Sequence, residues 1–467
     1  MMPTRGFTIS AHALTGTVTS DESLAAWLEE QKHANRFEVR QIEFGDMDGW
    51  HFEPDSGDLV HRTGRFFRVE GLQVTTDHPD HGSWMQPILN QPEIGLLGIV
   101  MRSFDGVPHC LLQAKMEPGN LNTIQLSPTV QATRSNYTRV HGGRQTPYLE
   151  YFTGPRRGRV LVDSNQSEQG SWFLSKRNRN VVVEVTEDVP LLDNFRWVTI
   201  GQLHRLLQQD NTVNMDTRTV LACIPFEPPN GGRRAELDGG AYREALVGSL
   251  AADQFSLHGM DQVLGWLTET KARHLFVRRY VPLGSVRGWH RSAADISHEQ
   301  GKYFKVVAVD VTAGNREVTR WTQPMFAPVG QGRVAFLVRS IKGVLHVLMH
   351  ARLLAGCLDV VELAPTLQHN PGNSADLPAD RRPRFLDLVA GAAPEQIRYD
   401  AVQSEEGGRF HHARTRHQII DVGEDFPTDE PEEYRWMTVR QLTELLRHSS
   451  YLNIEARSLL AALHTTW

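Results

Sequence analysis

The sequence predicts an α+β (mixed α/β) protein made of two tandem copies of one module, with mixed sheets flanked by helices. Three observations carry this. Self-comparison finds a repeat at an offset of 237–239 residues. Each copy contains both helix-period and strand-period segments. The composition is 40% hydrophobic and 22% charged, with 38 Gly and 24 Pro in 467 residues, which excludes a disordered, collagen-like or coiled-coil chain.

The repeat is specific. Trp27 returns as Trp266, and Gly49-Trp50-His51 as Gly288-Trp289-His290. Trp84-Met85-Gln86-Pro87 matches Trp321-Thr322-Gln323-Pro324, and Ser127-Pro128-Thr129 matches Ala364-Pro365-Thr366. Gln166-Ser167-Glu168 matches Gln403-Ser404-Glu405; Asn214 and Arg218 match Asn453 and Arg457. Two copies of this period exclude a solenoid. The expected division is an N-terminal module over 1–225 with the working site, a linker and lead-in helix over 226–257, and a C-terminal module over 258–467.

Individual elements follow from local signals. Thr19 with Glu22 reads as a capping box before a helix reaching Lys32. Residues 65–69, 107–114, 160–163 and 181–185 read as strands, rich in β-branched and apolar side chains. Ser127 with Pro128 reads as the start of a helix over 129–141, closed by Gly142. Asn370-Pro371-Gly372 is expected to break its counterpart early. Thr199 and Thr438 read as caps of matching amphipathic helices.

The net charge of −6 gives no support to a nucleic-acid or membrane-surface role. Cys110, Cys223 and Cys357 form no close pair, so neither a disulfide framework nor a structural zinc site is expected. The opening MMPTRGFTIS lacks the apolar core of a signal peptide. Apolar runs stop at about eight residues, where a membrane helix needs about twenty. A cytoplasmic location is therefore expected.

Differences between the copies point to chemistry. Glu117 and Lys176 of the first copy stand where the second has Leu354 and Ala413. Glu168 and Glu405 are kept in both, which reads as a structural hydrogen bond or ion pair. Residues 121–149 and 171–183 contain no Asp or Glu but carry Arg134, Arg139, Arg144, Lys176, Arg177 and Arg179. In an acidic chain this pattern indicates an anion site, because Arg forks match phosphate oxygens. HExxH, Walker A, GxSxG and a strand-to-helix GxGxxG are all absent.

Several blocks of the first copy are distinctive: Gln91-Pro-Glu-Ile-Gly95, Gln113-Ala-Lys-Met-Glu-Pro-Gly119, Ser127-Pro-Thr-Val-Gln-Ala-Thr-Arg-Ser-Asn-Tyr137 and Gln166-Ser-Glu-Gln-Gly-Ser-Trp-Phe173. With Trp84-Met-Gln-Pro87 and Lys176-Arg-Asn-Arg-Asn180, the chain resembles the NDP-hexose 2,3-dehydratase family over essentially its whole length. The resemblance implies two Nudix-like modules in a homodimer, the second a degenerate copy. It implies loss of the carbon-2 hydroxyl of dTDP-4-keto-6-deoxyglucose as water, in the deoxysugar pathways of natural products. A Nudix hydrolase holds magnesium on the glutamates of REUxEExGU, and residues 129–141 carry none.

The resemblance and the copy comparison together assign roles. Glu117 is expected as base or proton shuttle, Lys176 at the carbon-4 oxygen, and Tyr137 or His141 at the leaving hydroxyl. Trp84, Lys115, Gln131, Arg134, Asn136, Arg177, Asn178, Arg179 and Arg65 are expected to hold substrate. The elimination is redox-neutral, so no redox cofactor is expected, and with the Nudix glutamates missing no metal is expected either. The alternatives are a Nudix-type diphosphatase of nucleotide sugars and a non-catalytic nucleotide-sugar-binding protein.

Overall fold

The structure, a computed structural model, describes residues 3–34, 36–78, 82–133, 146–154, 156–228, 240–251, 255–314, 318–374, 377–378 and 381–466. The first copy begins with helices α1 (Pro3–His12) and α2 (Asp21–Ala34). Its strands are β1 (Phe37–Ile42), β2 (Trp50–Phe52), β3 (Leu59–His61), β4 (Arg68–Thr76), β5 (Trp84–Asn90) and β6 (Gly95–Phe104). They continue with β7 (Val107–Met116), β8 (Ile124–Ser127), β9 (Val130–Ala132), β10 (Arg159–Ser167), β11 (Arg177–Glu184) and β12 (Phe195–Val198). Helices α3 (Ile200–Leu207) and α4 (Met215–Ala222) close the copy.

The second copy repeats this order. It opens with α5 (Gly240–Leu250) and α6 (Met260–Arg273). Strands β13 (Phe276–Val281), β14 (Trp289–Arg291), β15 (Asp295–His298), β16 (Phe304–Ala313), β17 (Arg320–Pro328) and β18 (Gly332–Ile341) follow. Next come β19 (Val344–Arg352), β20 (Glu362–Ala364), β21 (Leu367–His369) and the short helices α7 (Pro371–Ser374) and α8 (Leu386–Ala390). The copy ends with β22 (Ile397–Ser404), β23 (Arg414–Asp421), β24 (Tyr434–Thr438), α9 (Val439–Leu445) and α10 (Ile454–Leu463). The equivalence reaches the first helices: Ser10 bridges the Pro108 carbonyl and the Ile200 amide, and Ser249 bridges Leu345 and Val439 in the same way.

Each copy has one large sheet, β10-β11-β6-β7-β12 in the first and β22-β23-β18-β19-β24 in the second. Strands β6 and β11 run parallel, and their apolar runs over 95–101 and 181–183 are buried. The smaller sheets are not self-contained. Strand β1 of the first copy pairs with β16 of the second, and β13 of the second pairs with β4 of the first. Each copy lends the other an edge strand. The main core follows suit, joining Leu97, Ile99 and Leu221 to Phe336, Met349 and Leu460 in one cluster. Trp27 and Trp266 are buried in it, and their indole N–H groups donate to the carbonyls of Asp193 and Glu432.

The expected caps Thr199 and Thr438 are present, each accepting from the third helical amide in a capping box with Gln202 or Gln441. For α2 the cap is Ser20, whose Oγ accepts from the Ser23 amide, not Thr19. The expected strand over 65–69 begins later, at Arg68.

The expected helix over 129–141 is corrected where it is described. Ser127 ends β8, and Val130–Ala132 is β9. Strands β6 and β7 pair near their hairpin and then diverge; β8 joins β7 and β9 joins β6 in the gap. Thr129 sits at the crossing, where its hydroxyl donates to the Leu111 carbonyl and accepts from the Val100 amide. Those two groups lack ladder partners there, and Thr serves both while Pro128 needs no donor partner. In the second copy Leu367–His369 is likewise a strand, so Pro371 starts a helical turn and interrupts no helix. Residues 134–145 lie outside the described residues.

Candidate active site

The site grows from the end of β7. Lys115 and Glu117 leave the strand on either side of Met116, and Pro118-Gly119 turns the chain. Gly119 lies against the second copy: its amide donates to the Gly407 carbonyl at 2.7 Å, and its carbonyl accepts from the His412 amide at 2.9 Å. A Cβ on Gly119 would stand 1.7 Å from the Phe410 carbonyl oxygen, so only glycine permits this approach. Gly356 makes the mirror contact with Gly170 and Ser175. The 406–412 loop of the second copy is thereby pressed onto the first copy's Glu117.

Glu117 is buried, with its Oε1 3.2 Å from Lys115 Nζ and accepting from Gln131 Nε2 at 2.8 Å. Gln131 is oriented in turn by Ser127 Oγ and Asn214 Nδ2. Asn214 also caps α4, tying that helix to the carboxylate. Glu168, at the end of β10, accepts from Asn178 Nδ2 at 2.6 Å, and Asn178 Oδ1 accepts from the Gly95 amide. Lys176 donates to the Glu93 carbonyl.

The second copy supplies the opposite wall. Arg409 donates to Gln91 Oε1 at 3.2 Å and stacks its guanidinium 4.3 Å from the Phe67 ring centre. Glu406 accepts from the Gly408 amide. Its charge and that of Glu117 act on Asp216, which sits in the first turn of α4. Four carboxyls, Glu117, Glu168, Asp216 and Glu406, thus share a buried region with Lys115, Lys176 and Arg409.

The electrostatics follow from crowding and burial. Burial pushes Glu168 up to about 7, with Glu406 adding to the rise. Burial raises Asp216 and Glu406 as well, each further raised by neighbouring carboxylates. Burial pushes Lys176 down to about 8; Glu168 opposes this and Arg409 assists. A carboxyl and an amine therefore sit near neutrality, where proton donors and acceptors exchange readily.

The structure brings together Glu117, Lys176, Lys115, Gln131 and Asn178 from the expected set. Arg177 opens β11 opposite Ser167, and its counterpart Arg414 lines the second copy's cavity. Arg179 is paired elsewhere: both its Nε and Nη2 donate to Asp163, and Arg416 repeats this on Asp400, which marks a structural pair. Arg65 lies on an exposed turn before β4. Trp84 lines the other cavity. Arg134, Asn136, Tyr137 and His141 are outside the described residues.

That other cavity, of about 500 Å³, belongs to the second copy. Arg352, Leu354, Glu405, Ala413 and Glu455 form one side, and Trp84 and Trp172 of the first copy form part of the other. Trp172 and Gln169 stand where Arg409 and Glu406 stand in the repeat. The losses of Glu117 and Lys176 in the second copy and the gains of Glu406 and Arg409 therefore converge on a single site. Comparing the copies reveals Glu406 and Arg409 by the same difference test that singled out Glu117. Only the exchanged strands and loops show which site they serve. Glu168 does form the structural hydrogen bond expected of it, but within the reactive cluster.

Buried acids and amines poised near neutrality on a duplicated α+β scaffold define a proton-transfer site of the kind a lyase uses. The chain belongs to the NDP-hexose 2,3-dehydratase family, whose model matches residues 21–224 and again 260–463. A Saccharopolyspora spinosa protein named dTDP-4-dehydro-6-deoxy-alpha-D-glucopyranose 2,3-dehydratase is 50% identical, covering 99% of this chain and 95% of that one. Proteins of the same name from Amycolatopsis orientalis and Streptomyces violaceoruber are each 49% identical, covering 98% and 96% of this chain and 93% and 98% of their own.

Proposed function

We propose that this chain removes water from dTDP-4-keto-6-deoxyglucose, giving the dTDP-3,4-diketo-2,6-dideoxyhexose. The observation that carries the reading is the gathering of Glu117, Lys176, Glu168, Glu406 and Arg409 at one of two equivalent positions, beside the names of the relatives. The carbon-4 ketone acidifies the hydrogen on carbon-3. Glu117 takes that proton, and Lys176 holds the developing enolate oxygen. The enolate expels the carbon-2 hydroxyl, protonated as it leaves by Glu168 or by Tyr137 or His141. The resulting enol takes a proton on carbon-2 and becomes the carbon-3 ketone. One water is lost and no electrons are exchanged, so the step needs no redox cofactor. A positioned acid or base contributes about 10²–10⁴-fold and an oxyanion donor a similar amount.

Arg177 and Arg134 are the proposed diphosphate contacts, with Lys115, Gln131, Asn136 and Asn178 completing the site. The reading does not use Arg65, Arg179 or Trp84, whose places are described above. Residues 1–225, 226–257 and 258–467 are taken as the units of a Nudix-like duplication. The protein is taken as a cytoplasmic homodimer that binds neither nucleic acid nor membrane. Among the described residues no helix is long and apolar enough to cross a membrane.

The test incubates purified protein with dTDP-4-keto-6-deoxyglucose, without added cofactor, and follows it by mass spectrometry and proton NMR. Loss of one water with the diphosphate intact is expected. Cleavage of the diphosphate would replace the dehydratase with a hydrolase, and tight binding without turnover would replace it with a binding protein.

A further inference from the structure

We propose that His78, His274 and Glu433 form a structural transition-metal site, of the Zn²⁺ type, that fastens the exchanged strand β13 to the first copy. Strand β13 pairs antiparallel with β4, Phe276 opposite Thr76. Two residues further along, this register sets His274 facing His78, with ring centres 4.7 Å apart. Glu433 enters from the turn before β24, with its carbonyl held by the Ala351 amide. One ligand atom from each of the three lies within 4.8 Å of the others.

The distances suit a small cation. His78 Nε2 is 2.5 Å and His274 Nε2 3.9 Å from Glu433 Oε1. Tetrahedral zinc with bonds of about 2.0–2.2 Å places its ligand atoms roughly 3.4 Å apart, between these values. The supporting groups are also present. His350 Nε2 is 3.5 Å from the second oxygen of Glu433, and Asp77 Oδ1 is 3.7 Å from His274 Nδ1. Partners of this kind orient metal ligands.

Two observations favour a metal over a plain His–Glu hydrogen bond. The His274 side chain is 90% buried, yet its Nε2 has no hydrogen-bond partner and faces the carboxylate. A buried ring nitrogen left in this way needs an occupant. Second, the copies differ in concert. His78, His274, His350 and Glu433 correspond in the repeat to Asn315, Asn35, Gln113 and Asn194. Four metal-ligand side chains face four amides, which are weak ligands for such metals. An isolated ion pair would need only one histidine.

The experiment uses the full-length chain without a histidine tag, stripped with a chelator and then dialysed. Reloading with Zn²⁺ is expected to leave about one zinc per chain by elemental analysis, and Co²⁺ to give the visible absorption of a tetrahedral site. Zn²⁺ should also raise Tm, since the ligands come from separate strands. His78→Asn and His274→Asn, the amides of the other copy, should each lose Co²⁺ affinity at least tenfold; His350→Gln should weaken it by about 10–100-fold. Wild-type protein that retains no zinc, or variants that bind Co²⁺ as tightly as wild type, would overturn the proposal. If a variant does not fold, X-ray absorption at the zinc edge of wild type decides: two imidazoles support the site, and none overturns it. None of these readouts depends on turnover.

Discussion

Arg218 and Arg457 occupy reciprocal positions on α4 and α10, each reaching into the other copy. Arg218 Nε donates to Ser458 Oγ and its Nη2 to the Ser404 carbonyl; Arg457 Nε donates to Thr219 Oγ1 and its Nη2 to the Ser167 carbonyl. Both are buried. Each guanidinium also takes a carbonyl of its own copy, Val213 or Leu452. These two residues lock the ends of β10 and β22, which lead into Glu168 and Glu405, against the opposite helix.

Removing either arginine leaves buried carbonyls unpaired. Arg218→Met and Arg457→Met are each expected to cost about 3 kcal/mol or more, read from urea unfolding. A cost under about 1 kcal/mol would show that water replaces the guanidinium.

The proposed site takes residues from both copies, so changes in the second copy should impair it. Glu406→Gln and Arg409→Ala are expected to lower kcat by about 10²-fold or more, with Tm close to wild type. Trp172→Phe, at the equivalent place facing the other cavity, should leave kcat within a few-fold.

Within the first copy, Glu117→Gln and Lys176→Ala should each reduce kcat about 10²–10⁴-fold while the fold persists by circular dichroism. Glu405→Gln is the control in the second copy. If Glu405→Gln alone abolished turnover, with folding intact, the reaction would belong to the other cavity.

Asn214 and Asn453 cap matching helices, so replacing either with Ala should cost about 1 kcal/mol. Asn214 leads through Gln131 to the Glu117 carboxylate, whereas Asn453 leads to Gln368 in a copy that has Leu354 where Glu117 stands. The two variants should match in Tm, and Asn214→Ala alone should slow turnover. Equal turnover would separate the cap from the chemistry.

Buried carboxyls and buried histidines pull stability in opposite directions as pH falls. Burial pushes Glu168 and Glu362 up to about 7 and Glu455 up to about 8, against an ordinary value of 4.5. Between pH 8 and 6.5 the native state takes up these protons and the unfolded chain does not, so stability rises as pH falls. Burial pushes His204, His417 and His464 down to about 3, and His346, His369 and His411 down to about 4, from 6.5. Below pH 6.5 the unfolded chain protonates them first, each removing about 1.4 kcal/mol per pH unit. The three carboxyls offset only part of this, because six histidines oppose them. Tm by scanning fluorimetry should therefore be higher at pH 6.5 than at pH 8 and fall again as pH drops below about 6. A steady fall from pH 8 downward would contradict the carboxyl assignment.

The sequence by itself determined the duplication, the α+β class and the caps at Thr199 and Thr438, and it singled out Glu117 and Lys176 as differences between the copies. Each is recorded in residue identity or short-range spacing, which a repeat alignment reads directly. Tertiary structure alone decided which copy's residues meet. The exchange of β1 and β13 moves Trp84 to the second cavity and brings Glu406 and Arg409 to Glu117. Strand pairing between segments over two hundred residues apart leaves no periodic trace, because an exchanged strand and a retained one share the same pattern. The misread helix at 129–132 has the same origin. Ser-Pro-Thr carries a local helix-start signal, and the divergence of β6 and β7, which overrides it, is set by distant partners.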